Sequence, residues 1–102
     1  MARLLAMYKT PKDAKAFNDY YFSTHVPLAK AIPGLRKYEV SKGQIATPTG
    51  PSDFYLIAIL HFDDGAAIQK ALTSPQGMVA AADLQNFATG GVDLCMFDDI
   101  EV

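Results

Sequence analysis

The chain has 102 residues, half of them hydrophobic and a fifth charged, with a formal net charge of −2 at pH 7. This balance excludes an intrinsically disordered chain, and the nine scattered Lys and Arg residues exclude a basic surface for nucleic acid. The length predicts a single domain over residues 1–102. Because no apolar run approaches the roughly 18 residues that span a bilayer, we expect a cytoplasmic protein that contacts no membrane.

The first predicted elements are a strand over residues 3–9 and a long helix behind it. Thr10 is expected to cap the helix, with Pro11 at its first position, where a missing N–H costs nothing. Pro27 should kink or end the helix close to His25, because proline lacks a donor and crowds the preceding turn. A helical period places one set of side chains toward the core: Ala14, Phe17, Tyr21, Thr24, His25 and Leu28.

The middle of the chain predicts two strands separated by a loop. Pro33-Gly34 suits a type II turn that leads into an edge strand over residues 35–42. Residues 43–53 form a long loop, which is a candidate lid or subunit contact. Residues 54–62 form the strongest strand, and because both of its faces are apolar we expect both to be covered.

The C-terminal part predicts two helices and a last strand. Asp63 or Asp64 is expected to cap the first of these helices, and Ser74-Pro75 to open the next. Residues 92–97 should form a strand that is apolar on both faces. The side chains expected to point inward from the last helix are Met78, Val79, Ala82 and Phe87.

The element order β-α-β-β-α-β predicts an α+β, ferredoxin-like fold with a four-stranded antiparallel sheet and helices on one face. The other face, carrying Tyr55, Ile57 and Ile59 or else their alternates, would be bare in a monomer. We therefore expect a second copy to pack sheet to sheet, which gives a homodimeric α+β barrel.

Few residues offer chemistry that needs a cofactor. Cys95, the single cysteine, has no Cys or His at ligand spacing and is expected to pack as a small buried hydrophobic residue. His61 lacks an acidic partner at a recognisable spacing and is expected to belong to the sheet face, not to a metal site. Glycine-rich phosphate loops, nucleophile elbows and zinc motifs are absent from the sequence. Any chemistry is expected to need neither a cofactor nor a metal.

His25 is the leading candidate for catalysis. Tyr21 lies one turn before it on the same helix face, and Pro27 restricts the local geometry. In that role His25 would act as a general acid or base, or would donate a hydrogen bond to a ligand. The alternative is a structural histidine whose ring nitrogens are satisfied by backbone groups released at the proline break.

Five further residues are predicted to contact a ligand. Tyr8 ends the first strand beneath the helix, and Tyr20 and Tyr21 lie on and beside the buried stripe. A tyrosine at such a position either anchors its hydroxyl at the core edge or presents it to a ligand. Asp83 and Phe87 are expected to close one end of the cleft, with loop anchoring as the alternative.

The same residues carry a family resemblance that extends over nearly the whole chain. The most specific part is F-x-x-Y-Y-x-x-x-H-x-P-L, from Phe17 to Leu28, and the segments Pro33-Gly34-Leu35-Arg36 and Ala81-Ala82-Asp83-Leu84 add to it. The sequence thereby resembles the EthD family of the dimeric α+β barrel superfamily. The resemblance implies a ferredoxin-like homodimer with a pocket between the sheet and the helices of each subunit.

On function the resemblance implies several possibilities. The founding member accompanies a cytochrome P450 system that degrades ethyl tert-butyl ether, and many relatives carry an oxidoreductase label. Other relatives are isomerases of aromatic catabolism, or decarboxylases and dehydratases of polyketide pathways, which are proton-transfer reactions.

Three hypotheses follow. The protein is a cofactor-free enzyme that acts through His25 on a small apolar or aromatic molecule, or a non-catalytic accessory protein of a monooxygenase pathway that binds such a molecule. In the third, His25 is an axial haem ligand, since other branches of the superfamily handle haem.

Overall fold

The structure, a computed structural model, describes every residue from Met1 to Val102. Four strands form an antiparallel sheet in the order β2-β5-β1-β6, and β3 and β4 form a separate two-residue hairpin. Apart from this hairpin, the order is the predicted ferredoxin-like βαββαβ arrangement. The elements are β1 (Ala2–Lys9), α1 (Ala14–Tyr20), a π-helical segment (Tyr21–His25), α2 (Val26–Lys30), β2 (Lys37–Val40), β3 (Ala46–Thr47), β4 (Gly50–Pro51), β5 (Phe54–Phe62), α3 (Gly65–Thr73), α4 (Pro75–Phe87) and β6 (Val92–Asp98).

The core lies between one face of the sheet and the helices. Side chains alternate between the two faces of each strand, so every second residue of the central strands β1 and β5 points toward the helices. Buried residues of α1, α3 and α4 belong to the same cluster, so the helices share one face. The opposite face, which we call the outer sheet face, includes Leu5, Met7, Ile57 and Ile59. The sheet residues in the core are Ala2, Leu4, Ala6, Tyr8, Leu56, Ala58, Leu60 and Phe62.

One of the two predicted assignments placed Tyr55 on the outer sheet face together with Ile57 and Ile59. In the structure Tyr55 does not lie on that face. The pairing of β1 with β5 shifts by one residue at this point, which leaves Tyr55 as the extra residue of a bulge. Its ring packs against Phe17 of α1 with the ring centroids 5.3 Å apart, and its hydroxyl donates to Asn18 Oδ1 at 2.9 Å. The bulge therefore turns this side chain toward the helices.

The first helix begins three residues later than the sequence predicts. Asp13, not Thr10, is the N-cap, and its carboxylate accepts a hydrogen bond from the N–H of Ala16 at 3.0 Å. The residues before it are held by the loop that follows α4, because the N–H of Lys12 donates to Thr89 Oγ1 at 3.0 Å. Because this contact with Thr89 engages the backbone N–H of Lys12, we attribute the later start of the helix to it.

The helix α4 begins at Ser74-Pro75 as predicted, but it faces the core with different residues. Met78 and Val79 were expected inward and are 57% and 53% exposed. Ala82 is also exposed, whereas Phe87 is buried as predicted. The inward face is shifted by about one residue along the helix. Because this face carries a glycine and an alanine, α4 can approach α3 closely. The buried residues of the face are Gly77, Ala80, Asp83 and Phe87.

Cys95 is exposed, so the prediction of a buried cysteine is wrong. It lies on β6, an edge strand of the sheet, opposite Leu5 on β1 and therefore on the outer sheet face. Because no helix covers that face, an apolar side chain that points to it from β6 stays exposed in the single chain. None of the helices in the structure is long and apolar enough to cross a lipid bilayer.

Candidate active site

The helix that carries His25 does not end at Pro27. It widens into a π-helical turn over Tyr21–His25 and then continues to Lys30. In this turn the N–H of Val26 donates to the carbonyl five residues earlier, not four. Because proline lacks a donor and crowds the preceding turn, the wider turn allows the helix to continue. The wide turn leaves the side chain of His25 buried, with only 6% of the residue exposed.

His25 is paired with the carboxylate of Asp83, which follows it by 58 residues in the sequence. Its Nδ1 lies 3.0 Å from Asp83 Oδ2, across the contact between the π-helical turn and α4. The second carboxylate oxygen, Oδ1, accepts hydrogen bonds from the Tyr20 hydroxyl at 2.5 Å and from Asn86 Nδ2 at 2.9 Å. The structural alternative predicted backbone partners for this ring, and the structure gives Nδ1 a side-chain carboxylate instead.

The protonation of the pair follows from burial and these hydrogen bonds. Burial lowers the pKa of His25 below its usual value, and it outweighs Asp83, which favours the cation. Burial acts to raise the pKa of Asp83, but hydrogen bonds from Tyr20, Asn86 and His25 together hold it below its usual range. The pair at neutral pH is therefore a carboxylate beside a neutral imidazole. Because the carboxylate only accepts, the ring proton lies on Nδ1 and the lone pair on Nε2.

His25 lines a small cavity between the helices and the sheet, with a volume of about 70 Å³. Tyr8 and Tyr38 are the other lining residues with polar side chains, and aliphatic residues such as Leu60 and Leu94 form most of the remaining wall. The only side-chain hydrogen bond of His25 is the one from Nδ1, so Nε2 has no protein partner. A neutral imidazole with a free lone pair in an apolar cavity can accept a proton from a bound molecule.

The other residues predicted to contact a ligand are placed around His25, but only Tyr8 lines the cavity. Tyr20 and Asp83 lie behind the imidazole and hold its orientation. Phe87 packs against the imidazole with the ring centroids 4.6 Å apart. Tyr21 is fully buried, and its hydroxyl meets that of another tyrosine.

Tyr38 is the residue that sequence reasoning missed. It lies on β2, and its hydroxyl is 2.6 Å from the Tyr21 hydroxyl. It pairs with Leu60 of β5, which points into the core, so Tyr38 faces the helices as well. The sequence signal was its alternation with the charged residues Lys37 and Glu39 in the predicted strand.

A second, larger cleft lies away from His25. It has a volume of about 840 Å³ and is open to solvent between α1 and the segment that includes the predicted loop over residues 43–53. Its lining includes Phe22, Ile45 and Phe54 but no His, Asp or Glu. It therefore offers neither an imidazole nor a carboxylate to a bound molecule, and Lys42 is its one charged side chain.

His61 lies on the outer sheet face, as predicted, but it has an acidic partner that the spacing of the sequence does not reveal. Its Nε2 lies 2.6 Å from Glu39 Oε1, because the antiparallel pairing of β2 with β5 places Glu39 diagonally across from it on the outer sheet face. Nowhere in the structure do three or more His, Cys, Asp and Glu residues gather so that they could hold a metal ion.

The fold and the site together define a class: an α+β, ferredoxin-like protein with a carboxylate–histidine pair beside an apolar cavity between helices and sheet. A family model described as EthD domain matches residues 9–91. The chain belongs to the EthD family, which confirms the resemblance found in the sequence.

Similar proteins support this assignment. An uncharacterized 11.0 kDa protein from the thcB-thcC intergenic region of Rhodococcus erythropolis is 38% identical over 99 residues, covering 97% of this chain and 95% of that protein. The crystal structure of an EthD family protein from Bacillus halodurans is 35% identical with a TM-score of 0.89, covering 98% and 99% of the two chains. A hydroxynitrile lyase from Passiflora edulis is similar in fold, with a TM-score of 0.76 at 13% identity, covering 99% and 94%.

Proposed function

We propose that this protein binds a small, largely apolar organic molecule in the cavity beside His25 and catalyses a proton transfer without a cofactor. The observation that carries the proposal is the Asp83–His25 pair, with Nδ1 bonded to the carboxylate at 3.0 Å and Nε2 left without a protein partner beside an apolar cavity. An aspartate that orients a histidine and stabilises its cation is a recurring device of general base catalysis.

In the proposed reaction, Nε2 of His25 takes a proton from an acidic C–H bond of the substrate. The imidazolium that forms is stabilised by the Asp83 carboxylate, and the apolar wall keeps water from competing for the proton. Return of the proton to another carbon gives an isomerisation. Transfer of the proton from the imidazolium to a departing β-hydroxyl group releases water and gives a dehydration. The Passiflora edulis protein of the same fold is named a hydroxynitrile lyase, and a dehydration is likewise a lyase reaction.

A second function is favoured by the size of the cavity. Its volume of about 70 Å³ is less than half of the roughly 150 Å³ that holds benzene in an engineered protein cavity. An aromatic ligand would therefore need the cavity to widen. In this alternative the protein is a non-catalytic accessory protein of a monooxygenase pathway, and the His25–Asp83 pair serves to join two helices.

Replacing His25 with glutamine separates the two functions. We expect the wild-type protein to catalyse exchange of the α-hydrogens of 2-butanone for deuterium in D₂O, followed by NMR. His25→Gln should slow this exchange by about 100-fold or more because glutamine cannot accept the proton at neutral pH. His61→Gln, on the outer sheet face, is the matched control and should leave the rate unchanged. A His25→Gln variant that loses stability but no exchange activity favours the accessory function.

The proposal includes a homodimer formed through the outer sheet face. This face carries Leu5, Met7, Ile57 and Ile59 with no layer of the chain over them. Beside them Arg3 Nη1 is buried without a hydrogen-bond partner, although Nη2 of the same side chain is 2.9 Å from Asp99 Oδ2. A second copy would cover the apolar residues and could supply the missing acceptor.

Ile59→Lys is expected to disrupt this dimer. The substitution places a charge in the centre of the proposed interface. Glu39 lies directly across from it on β2, but the cost of burying both charges between two sheets exceeds the attraction between them. Light scattering should report twice the chain mass for the wild type and a single chain mass for the variant. Val79→Lys is the control, because Val79 is 53% exposed on α4, away from the outer sheet face. A monodisperse wild-type monomer at micromolar concentration would contradict the dimer.

A further inference from the structure

The cavity beside His25 has a second polar feature, which lies on the sheet side. Tyr38, from β2, lines the cavity, and its hydroxyl is 2.6 Å from the hydroxyl of Tyr21 in the helix layer. Tyr21 is fully buried and does not line the cavity. The pair therefore presents only one of its two side chains, Tyr38, to a molecule bound next to His25.

Two hydroxyls in contact share a single hydrogen bond, so the hydroxyl that accepts still has a proton to donate elsewhere. Burial raises the pKa of both Tyr21 and Tyr38, which keeps both hydroxyls protonated. If Tyr21 donates to Tyr38, the proton of Tyr38 is left to donate within the cavity. An apolar molecule there would leave this donor unpaired, which typically costs about 1–3 kcal/mol.

The charge of the cavity limits what can accept this proton. Its lining contains neither Lys nor Arg, so the carboxylate of an anionic ligand would be buried without a counter-charge. A neutral oxygen acceptor satisfies the hydroxyl without that cost. With a volume of about 70 Å³, less than half of the roughly 150 Å³ that holds benzene in an engineered protein cavity, the cavity favours a compact ligand without an aromatic ring.

We infer that the Tyr38 hydroxyl, positioned by Tyr21, binds the carbonyl oxygen of the substrate, and that the substrate is a small enolisable ketone or aldehyde. This inference rests on the proposed function of His25. Nε2 of His25 takes the proton from the carbon next to the carbonyl, and the C–H electron pair becomes the C=C bond of the enolate. The carbonyl π pair moves to oxygen, where the hydrogen bond from Tyr38 stabilises the charge. Protonation of a carbon by the imidazolium completes the reaction.

A matched pair of ligands tests the oxygen contact. In 2-methyl-1-butene the carbonyl oxygen of 2-butanone is replaced by CH₂, so the two molecules differ little in shape. NMR titration should show that the wild type binds the ketone about 5- to 10-fold more tightly than the alkene, which is the range of one net hydrogen bond. Tyr38→Phe should remove this preference and should bind the alkene more tightly than the wild type does, because the Tyr38 hydroxyl that the alkene leaves unpaired is gone.

Tyr38→Phe should also slow deuterium exchange into 2-butanone by about 100-fold, as loss of an oxyanion donor does elsewhere. Tyr21→Phe should slow it less, because the Tyr38 hydroxyl remains but is no longer positioned. Tyr55→Phe is the matched control, since its hydroxyl bonds to Asn18 outside this cavity, and it should change neither result.

The outcomes distinguish this inference from the proposed function. A ketone preference that persists in Tyr38→Phe overturns the inference, even if exchange still requires His25. A preference that is lost in Tyr38→Phe supports the oxygen contact, and if the wild type then shows no exchange, it is the catalytic role of His25 that fails. Binding of neither ligand overturns the inference and the proposed cavity site together.

Discussion

Asp83→Asn is expected to slow proton transfer through His25 by about 10³-fold, with little change in the shape of the site. The reason is the tautomer of the imidazole. In the wild type Asp83 Oδ2 can only accept, so it holds the proton on Nδ1 at 3.0 Å and leaves the lone pair on Nε2. An asparagine can keep its oxygen toward Tyr20 and Asn86 and place its NH₂ group against Nδ1. The ring proton then moves to Nε2, the atom that should act as the base.

The measurement is deuterium exchange into 2-butanone together with the ¹⁵N shifts of the His25 ring. We expect protonated Nδ1 in the wild type and protonated Nε2 in Asp83→Asn. Asn86→Ala is the control, because it removes one hydrogen bond to Asp83 at 2.9 Å but keeps the carboxylate. It should reduce the rate by less than about 10-fold, the effect of losing one modest hydrogen bond. An unchanged tautomer and rate in Asp83→Asn would show that Asp83 has only a structural role.

The pH dependence of the wild type follows from the direction of the His25 shift. Burial lowers its pKa, so a larger fraction of His25 is neutral at any pH near 6.5 than for an unperturbed histidine. Since only the neutral ring can accept a proton, the rate should rise with pH through this lowered pKa and then level off. Loss of the Asp83 carboxylate, which favours the cation, should move the midpoint to still lower pH.

Local signals in the sequence were sufficient for most of the fold. The strand over residues 54–62 is an uninterrupted apolar run, and the structure has β5 at Phe54–Phe62. Ser74-Pro75 starts a helix through contacts made within four residues, and the Ser74 hydroxyl accepts from the N–H of Gly77 as such a cap does. Elements defined by their own neighbours along the chain were therefore predictable.

Contacts between distant segments were not predictable in the same way. The helical period placed His25 inward, but its partner Asp83 is 58 residues away and meets it only because of how the helices pack. Met78 and Val79 were expected inward because they are apolar, yet they are exposed. Hydrophobicity indicates which residues favour burial, whereas the closest approach of two helices depends on which residues are small.

The bulge at Tyr55 shows the same limit for strands. A strict alternation of faces fails by one residue where the pairing shifts, and nothing in the sequence of β5 marks this point. The inward position of Tyr38 is hidden for a related reason. Its predicted strand has mixed faces, and only the pairing with Leu60 shows which face is inward. The sequence therefore named six residues of the candidate site, whereas the three-dimensional structure supplied the contacts between them and added Tyr38. The six are His25, Tyr8, Tyr20, Tyr21, Asp83 and Phe87.

Gly77→Ala is expected to destabilise the protein by about 3 kcal/mol or more, as strong overpacking does. Gly77 is buried in the first turn of α4. A Cβ atom added there would lie 1.9 Å from the carbonyl oxygen of Ala71 in α3 and 3.1 Å from Ser74 Oγ. The Ala71 carbonyl oxygen also accepts a hydrogen bond from Ser74 Oγ at 2.6 Å. The backbone near the end of α3 therefore cannot shift without disturbing Ser74, which caps α4.

The sign of the effect identifies its cause. Alanine is favoured over glycine inside a helix by about 1 kcal/mol, so helix propensity alone predicts that Gly77→Ala stabilises the protein. A loss of 3 kcal/mol corresponds to a fall in melting temperature of roughly 15 °C for a domain of this size. Gly65→Ala is the control, because its added Cβ would meet only Asp98 Oδ2 at an ordinary 3.6 Å. A Gly77→Ala variant as stable as the wild type would mean that α4 does not pack this closely on α3, and the position of Asp83 beside His25 depends on that packing.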